Sequence, residues 1–153
     1  MKALELKIPP VVLVLVIGGL MGLVASISRD FLLPLAIRWW GALLFVVPGA
    51  ALILAGAWHF HRRSTTLNPL RPDTASTLVT SGAYRLSRNP MYAGILLCLC
   101  AWACYLGNRY ALLGPVIFVL YMTRFQIRPE ERALQQRFGQ EYDAYCRLVR
   151  RWL

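Results

Sequence analysis

Long apolar runs alternate with short polar connections along this chain. Stretches that are uncharged or nearly so cover about residues 9–27, 39–60, 91–107 and 110–127. Each approaches the roughly 20 residues that a helix needs to cross a hydrocarbon core of about 30 Å. The third run is short, so we expect its helix to tilt or the bilayer to thin around it. The pattern predicts an all-α integral membrane protein with four transmembrane helices.

The first apolar run could also be a cleaved signal peptide. However, it is followed by Arg29 and Asp30 and then by another apolar run, rather than by a soluble domain. We therefore interpret residues 9–27 as an uncleaved membrane helix.

The tail, residues 129–151, has a different pattern. Its apolar residues recur at spacings of three and four: Leu134, Phe138, Tyr142, Tyr145 and Val149. Pro129 suits the first position of a helix, and acids in the first turn complement the helix dipole. The spacing predicts a cytoplasmic amphipathic helix that lies at the membrane surface and breaks or bends at Gly139.

Positive charge is concentrated on one side of the predicted membrane helices. The net charge is +10, and the basic residues cluster before the first helix, in the loop of residues 61–90 and in the tail. This asymmetry is the positive-inside pattern, which predicts an inner-membrane protein with both termini and the long loop in the cytoplasm. A basic surface there favours the lipid bilayer, with its anionic headgroups, as the partner and argues against nucleic acid.

No metal site is expected from the histidines. His59 and His61 are two residues apart, which places them on different sides of a helix, and no carboxylates lie nearby in sequence. No Cys-x-x-Cys pair occurs, so we interpret the cysteines as small apolar packing residues.

The apolar run of residues 91–107 has a more polar start than the other runs, with the sequence "SGAYRLSRNPMYAG" at residues 81–94. Pro90 fits the first turn of a helix, and Asn89 can cap its start. Free N–H groups there, with Arg85 and Arg88, suit a carboxylate or another anion. Two tyrosines, Tyr84 and Tyr92, add aromatic faces for a base or a cation.

A second polar cluster follows the last apolar run. Arg124 lies inside that run, and Arg128, Glu130 and Glu131 come next. Ionisable groups at such a depth are functional candidates. Together the two clusters suit a zwitterionic, cationic adenosyl cofactor. The residue chemistry leaves open three further interpretations: ATP, a phospholipid headgroup, or arginines that only snorkel to the interface.

Two segments of this chain resemble the isoprenylcysteine carboxyl methyltransferase family, which is related to the phospholipid N-methyltransferases. They are "TLVTSGAYRLSRNPMYAG" and "RPEERALQQRFGQEYDAYCRLVRR", and the resemblance covers roughly residues 67–152. It implies an integral membrane enzyme that binds S-adenosyl-L-methionine in a cytoplasm-facing pocket formed by residues 67–152. The methyl acceptor would be a lipid-like, amphipathic or lipidated molecule that enters from the bilayer.

The resemblance also implies roles for individual residues. Those expected at the cofactor are Thr77, Leu78, Val79, Tyr84, Arg88, Asn89, Pro90, Met91 and Tyr92. Those expected to act in catalysis are Arg124 on the acceptor side and the acidic pair Glu130 and Glu131.

Two departures from the family pattern leave the acceptor open. Asn89 stands where the carboxyl methyltransferases typically have histidine, and only Gly56 matches the Gly-x-Gly that phospholipid enzymes have on an earlier helix. An isoprenylcysteine-type carboxylate is the first expectation, and a phospholipid amine is the second. An NADPH-dependent membrane reductase and a non-catalytic membrane scaffold are the competing functional hypotheses outside the methyltransferases.

Overall fold

The computed structural model describes residues 5–28, 33–62 and 77–153, and the regular secondary structure of this part of the chain is helical, with no β-strand. Its helices are α1 (Pro10–Ser28), α2 (Leu35–Arg62), α3 (Pro90–Leu106), α4 (Leu113–Tyr121), α5 (Arg128–Phe138) and α6 (Gln140–Leu148). Short 3-10 turns cover Gly82–Arg85 and Tyr110–Leu112, and a π-helical turn covers Met122–Ile127. The all-α prediction is confirmed.

Within the described residues, three helical stretches are long and apolar enough to cross a membrane: Pro10–Ser28, Leu35–His59 and Tyr110–Phe138. The remaining apolar helix, α3, has 17 residues, which corresponds to a length of about 25 Å. It is the run that the sequence identified as short. Membrane crossing by α3, and with it the fourth span, stays a prediction.

The start of α2 lies earlier than the apolar run suggested. We expected the helix to begin after Arg38, but it begins at Leu35 and includes this arginine. The side chain of Arg38 reaches the end of α3, where Nε donates to the carbonyl oxygen of Tyr105 at 2.5 Å. An arginine that satisfies a free carbonyl at a helix end is stable inside a membrane helix, because its charge complements the helix dipole there.

Glycines allow α2 and α3 to pack closely. A Cβ atom added to Gly94 would lie 2.5 Å from the carbonyl oxygen of Gly49, and one added to Gly49 would lie 2.9 Å from the carbonyl oxygen of Gly94. Small residues at a crossing let two backbones approach each other, which is a common way to pack helices in membranes. The crossing fixes the first turns of α3 against α2.

The other side of α3 packs against α1 and α4. Trp102 Nε1 donates to the carbonyl oxygen of Gly18 at 3.0 Å. The core of this contact contains Ile17, Met21, Phe118 and Met122. The outward side chains of α1 and α2 are exposed leucines, valines and tryptophans, which is the arrangement expected of helices surrounded by lipid.

A π-helical turn connects α4 to α5 without a break. The N–H of Arg128 donates to the carbonyl oxygen of Thr123, five residues earlier. Pro129 lies in the first turn of α5, as the sequence predicted, although this helix continues from α4 and is not separate from it. Proline has no N–H for the carbonyl of Phe125, and that oxygen instead accepts the N–H of Leu6 at 3.0 Å.

The tail consists of two helices rather than one. Gly139 has φ 51° and ψ −120° and separates α5 from α6, so the predicted break is confirmed. The apolar side chains of both helices enclose a second core with the segment before α3; its members are Leu78, Val79, Tyr84, Leu134, Phe138, Tyr142, Tyr145, Cys146 and Val149.

Candidate functional site

The segment that follows Thr77 packs against the tail helices beside the site. Leu78 and Val79 are buried in the second core, whereas Thr77 is exposed. Tyr145 on α6 donates its hydroxyl to the carbonyl oxygen of Tyr84 at 2.7 Å. Burial raises the pKa of Tyr145 above its ordinary value, so the hydroxyl remains a donor at neutral pH. This bond ties the segment to the tail.

A glycine of the same segment lies against the end of α2. Gly82 has φ 63°, and the position of an added Cβ overlaps the ring of His59. The ring is oriented by Nδ1, which donates to the carbonyl oxygen of Ala55 at 2.8 Å. Both the positive φ and the close ring require glycine here. His59 therefore packs against the backbone of the segment.

The polar stretch "SRN" contacts the C-terminal segment. Asn89 occupies the N-cap position of α3, but its side chain does not cap the helix as the sequence predicted. Its Nδ2 instead donates to the carbonyl oxygen of Arg151 at 3.0 Å, and Ser87 Oγ donates to the same oxygen at 3.2 Å. The N–H of Arg88 donates to the carbonyl oxygen of Arg150 at 2.9 Å. The amide of Asn89 thus connects the start of α3 to the C-terminal segment.

Glu131 lies between two arginines. Arg151 donates to both carboxylate oxygens, from Nε at 2.9 Å and from Nη2 at 2.7 Å, and Arg88 Nη2 donates at 2.9 Å. The side chains of Glu131 and Arg88 are 17% and 13% exposed, so this pairing is shielded from water. Hydrogen bonding to Glu131 raises the pKa of Arg151. Arg151 was not predicted as a site residue, because it lies beyond the last periodic position of the tail.

Glu130 has neutral partners instead. Its Oε1 accepts the hydroxyl of Tyr92 at 2.7 Å and Nε2 of Gln126 at 2.6 Å. Gln126 is 2% exposed and lies in the π-helical turn. Sequence reasoning missed Gln126, although a polar residue one turn before an acid was a usable signal. The two adjacent glutamates therefore have different electrostatic surroundings.

An open cavity of about 570 Å³ lies beside Glu131. Its lining is basic and polar, and consists of Arg88, Arg128, Glu131, Arg132, Gln135, Gln136, Tyr142, Cys146 and Arg151. Sites for small molecules commonly measure about 300–1,000 Å³. Nε of Arg88 is buried and has no hydrogen-bond partner among the described residues, and such an atom needs an acceptor. The cavity therefore suits a ligand with an anionic group.

The predicted residues divide into three groups. The contacts bring together Arg88, Asn89, Tyr92, Glu130 and Glu131, with Leu78, Val79 and Tyr84 in the adjoining core. Pro90 is buried in the first turn of α3, and Met91 packs over Gly56. Arg124 contacts Glu5 at 3.4 Å rather than either tail glutamate.

Comparison with known proteins identifies the family. The model of the family described as phospholipid methyltransferase matches residues 37–141. Protein-S-isoprenylcysteine O-methyltransferase A of Arabidopsis thaliana is 32% identical over 145 residues, which cover 85% of this chain and 68% of that protein. No solved structure matches.

Two further relatives match parts of the chain. A probable protein-S-isoprenylcysteine O-methyltransferase of Oryza sativa subsp. indica is 34% identical over 110 residues, 68% of this chain and 52% of that protein. An uncharacterized protein of Haemophilus influenzae is 51% identical over 63 residues, 41% of this chain and 100% of that protein. The chain thus spans about half the length of the rice relative. The resemblance read from the motifs is confirmed: this chain belongs to the phospholipid methyltransferase family of membrane methyltransferases.

Proposed function

We propose that this protein is an integral membrane methyltransferase that uses S-adenosyl-L-methionine and methylates a lipid-like or amphipathic acceptor. An isoprenylcysteine-type carboxylate is the first candidate acceptor. The observation that carries the proposal is the meeting of the start of α3 with α5 and the C-terminal segment at a basic cavity. Arg88 and Glu131, which form an ion pair, both line this cavity.

The chemistry of the donors suits this cofactor. The buried Nε of Arg88 lacks an acceptor within the described ranges, and the arginines around it complement a carboxylate. Tyr142 adds an aromatic face to the lining. When bound, S-adenosyl-L-methionine supplies an electrophilic methyl group on a sulfonium. The residues proposed to hold it are Thr77, Leu78, Val79, Tyr84, Arg88, Asn89, Pro90, Met91 and Tyr92.

Because the methyl group is already activated, the chain's task is to align the reactants and exclude water. An acceptor carboxylate needs no base and is oriented by an arginine such as Arg124. An acceptor amine must lose a proton. Glu130 is then the better base of the acidic pair, since Glu131 is already paired with two arginines, while Glu130 accepts from the neutral groups of Tyr92 and Gln126.

A phospholipid amine is the second candidate acceptor. Two observations favour it: the description of the matching family model, and Asn89 in place of the histidine typical of carboxyl methyltransferases. The two candidates make different demands on Glu130. Methylation of an amine requires its carboxylate, and methylation of a carboxylate does not. Rates of Glu130→Gln with acceptors of each kind therefore distinguish them.

The proposed topology has four membrane helices, with both termini and the site in the cytoplasm, in the inner membrane. The basic residues of the tail and of the segment before α3 support this orientation.

Calorimetry of S-adenosyl-L-methionine binding tests the proposal, on the full chain in detergent and in lipid nanodiscs, with NADPH as the comparison ligand. We expect saturable binding of S-adenosyl-L-methionine and its loss in the double variant Glu130→Gln, Glu131→Gln. Glu141→Gln is the matched control, because Glu141 is an exposed acid on α6. Wild-type affinity in the double variant would remove the acidic pair from the site. Binding of NADPH alone would favour a reductase, and binding of neither ligand would favour a scaffold.

A further inference from the structure

A row of arginines follows the π-helical turn into α5. Arg124, Arg128 and Arg132 recur at every fourth position, which places them on one side of the helix. The side chains of Arg124 and Arg132 are 37% and 56% exposed. Arg128 and Arg132 also line the basic cavity, so the row leads from the end of the membrane helix to the candidate site.

Glu5 is the acid that contacts this row within the described ranges. Its two carboxylate oxygens pair with different arginines, Oε1 with Arg124 at 3.4 Å and Oε2 with Arg132. Although both arginines are partly exposed, the side chain of Glu5 is only 15% exposed. The carboxylate therefore sits between the two guanidinium groups rather than in open solvent.

The backbone beside Glu5 holds it there. The N–H of Leu6 donates to the carbonyl oxygen of Phe125 at 3.0 Å, the same carbonyl that Pro129 leaves without its usual donor. Leu6 has φ 57°, a left-handed conformation that a branched apolar residue rarely adopts. Such strain persists where surrounding contacts impose it, and it often marks a functional contact.

An apolar path leads along α4 to the same arginines. Its exposed side chains recur with helical spacing on the face that ends at Arg124, and they are Leu113, Val116, Ile117 and Leu120. The guanidinium of Arg124 lies 5.6 Å from the ring centroid of Phe125. A molecule with an apolar tail along α4 would bring its head group to Arg124. The combination suits an amphipathic acid better than a soluble anion.

We infer that Glu5 is a specificity-determining residue whose carboxylate occupies an anion site of Arg124 and Arg132, the site that the acid group of an amphipathic acceptor takes when it binds. The incoming acid must displace Glu5, so Glu5 weakens the binding of anionic acceptors and does not affect neutral ones. Partly exposed ion pairs are weak, which makes the exchange of one carboxylate for another feasible. The identification of the amphipathic acid as the methyl acceptor rests on the proposed function.

A matched pair of ligands tests this inference: S-farnesyl-N-acetylcysteine, with a free carboxylate, and its methyl ester, which has the same tail and no charge. Binding is measured by calorimetry on the full chain in phosphatidylcholine nanodiscs, with empty nanodiscs as the blank. We expect Glu5→Gln to bind the acid roughly three- to fivefold more tightly and the ester unchanged. We expect the double variant Arg124→Gln, Arg132→Gln to bind the acid more weakly than the wild type and the ester with unchanged affinity. Glu141→Gln should alter neither ligand.

The outcomes are separable. An equal effect of Glu5→Gln on acid and ester, or no effect on either, overturns the inference. If phosphatidylglycerol in the nanodiscs abolishes the preference for the acid, the site belongs to a lipid headgroup, which also overturns it. S-adenosyl-L-methionine binding to the Glu5→Gln variant reports on the proposed function independently, because Glu5 is neither a proposed cofactor contact nor part of the cavity lining.

Discussion

Arg151 donates to both carboxylate oxygens of Glu131, from Nε at 2.9 Å and from Nη2 at 2.7 Å. The two parallel bonds fix the plane of the carboxylate, which a single bond would not. Arg88 completes the pairing from the start of α3. The second glutamate of the tail is thus oriented by two segments that are far apart in sequence.

Replacing Arg151 tests this orientation. Arg151→Lys keeps the charge and loses the paired geometry, so we expect affinity for S-adenosyl-L-methionine to fall about three- to tenfold. Arg151→Ala also removes the charge, and we expect it to lower the free energy of unfolding by about 1–2 kcal/mol, a modest cost because Arg151 is partly exposed. Calorimetry and thermal unfolding in detergent measure the two effects. Arg137→Lys is the control variant, because Arg137 lies on a different face of α5 from Glu131. Equal losses in that variant would contradict a specific role for Arg151.

Asn89 offers a test in which two substitutions have opposite expected results. Its Nδ2 donates to the carbonyl oxygen of Arg151. Asn89→Asp replaces the donating amide with a carboxylate oxygen, which would face the carbonyl oxygen of Arg151. We therefore expect a loss of about 2 kcal/mol of stability and a clear loss of cofactor affinity. Asn89→His can still donate, and we expect cofactor affinity within about threefold of the wild type. Similar behaviour of the two variants would show that donation to Arg151 is unimportant.

Alanine substitutions at Gly82 and Gly139 distinguish the cost of steric overlap from the cost of backbone strain. Both glycines have positive φ, but an added Cβ at Gly82 overlaps the ring of His59, whereas one at Gly139 meets no described atom within 4 Å. We expect Gly139→Ala to cost about 1–2 kcal/mol of stability, from backbone strain alone. Gly82→Ala should cost roughly 3 kcal/mol and weaken cofactor binding, because the segment bearing Tyr84 must shift. Thermal unfolding measures both, and equal costs would contradict the contact with His59.

The crossing of α2 and α3 is tested by Gly94→Ala. The added Cβ would lie 2.5 Å from the carbonyl oxygen of Gly49 and 3.0 Å from the backbone nitrogen of Ile53. Backbone atoms cannot move aside as a flexible side chain can, so we expect a loss of about 2–3 kcal/mol. Gly18→Ala on α1 is the control, since an added Cβ there meets nothing in the part of the chain that the structure describes, and it should be neutral or slightly stabilising. Unfolding in detergent distinguishes the two.

Tyr92 and Glu130 form a pair suited to a double-mutant cycle. The hydroxyl of Tyr92 donates to Glu130 at 2.7 Å, beside the buried amide of Gln126. We expect Tyr92→Phe and Glu130→Gln to couple by about 1 kcal/mol in unfolding free energy. Purely additive effects would show that the bond contributes nothing to stability.

Features that depend on local spacing were predictable from the sequence. Apolar run length predicted the helical class and the short α3, and Gly139 predicted the break between α5 and α6. The pairing of charged groups that are far apart in sequence was not predictable. Arg38 looked like a helix boundary because its partner, the carbonyl of Tyr105, belongs to a helix much later in the chain.

The candidate site shows the same division. The motif residues Arg88, Tyr92 and the pair Glu130 and Glu131 were predicted as site residues, and the structure places Arg88 against Glu131 and Tyr92 against Glu130. Asn89 was assigned a capping role because local rules describe only its own helix, whereas its partner is the carbonyl of Arg151. Arg151 itself was overlooked, since nothing in its immediate neighbourhood separates it from the other tail arginines.

The π-helical turn Met122–Ile127 also limits how this chain can change. Such a turn contains one residue more than the α-helix it interrupts, and the wider turn takes up that residue, so the helix continues beyond it in nearly the same phase. A single deletion in this stretch would therefore convert it into ordinary α-helix and leave Glu130 and Glu131 facing their present partners, whereas a deletion within α4 would rotate both glutamates by about 100°. Gaps between relatives are therefore expected at this turn rather than elsewhere in the helix, except where a deletion removes Gln126, a partner of Glu130.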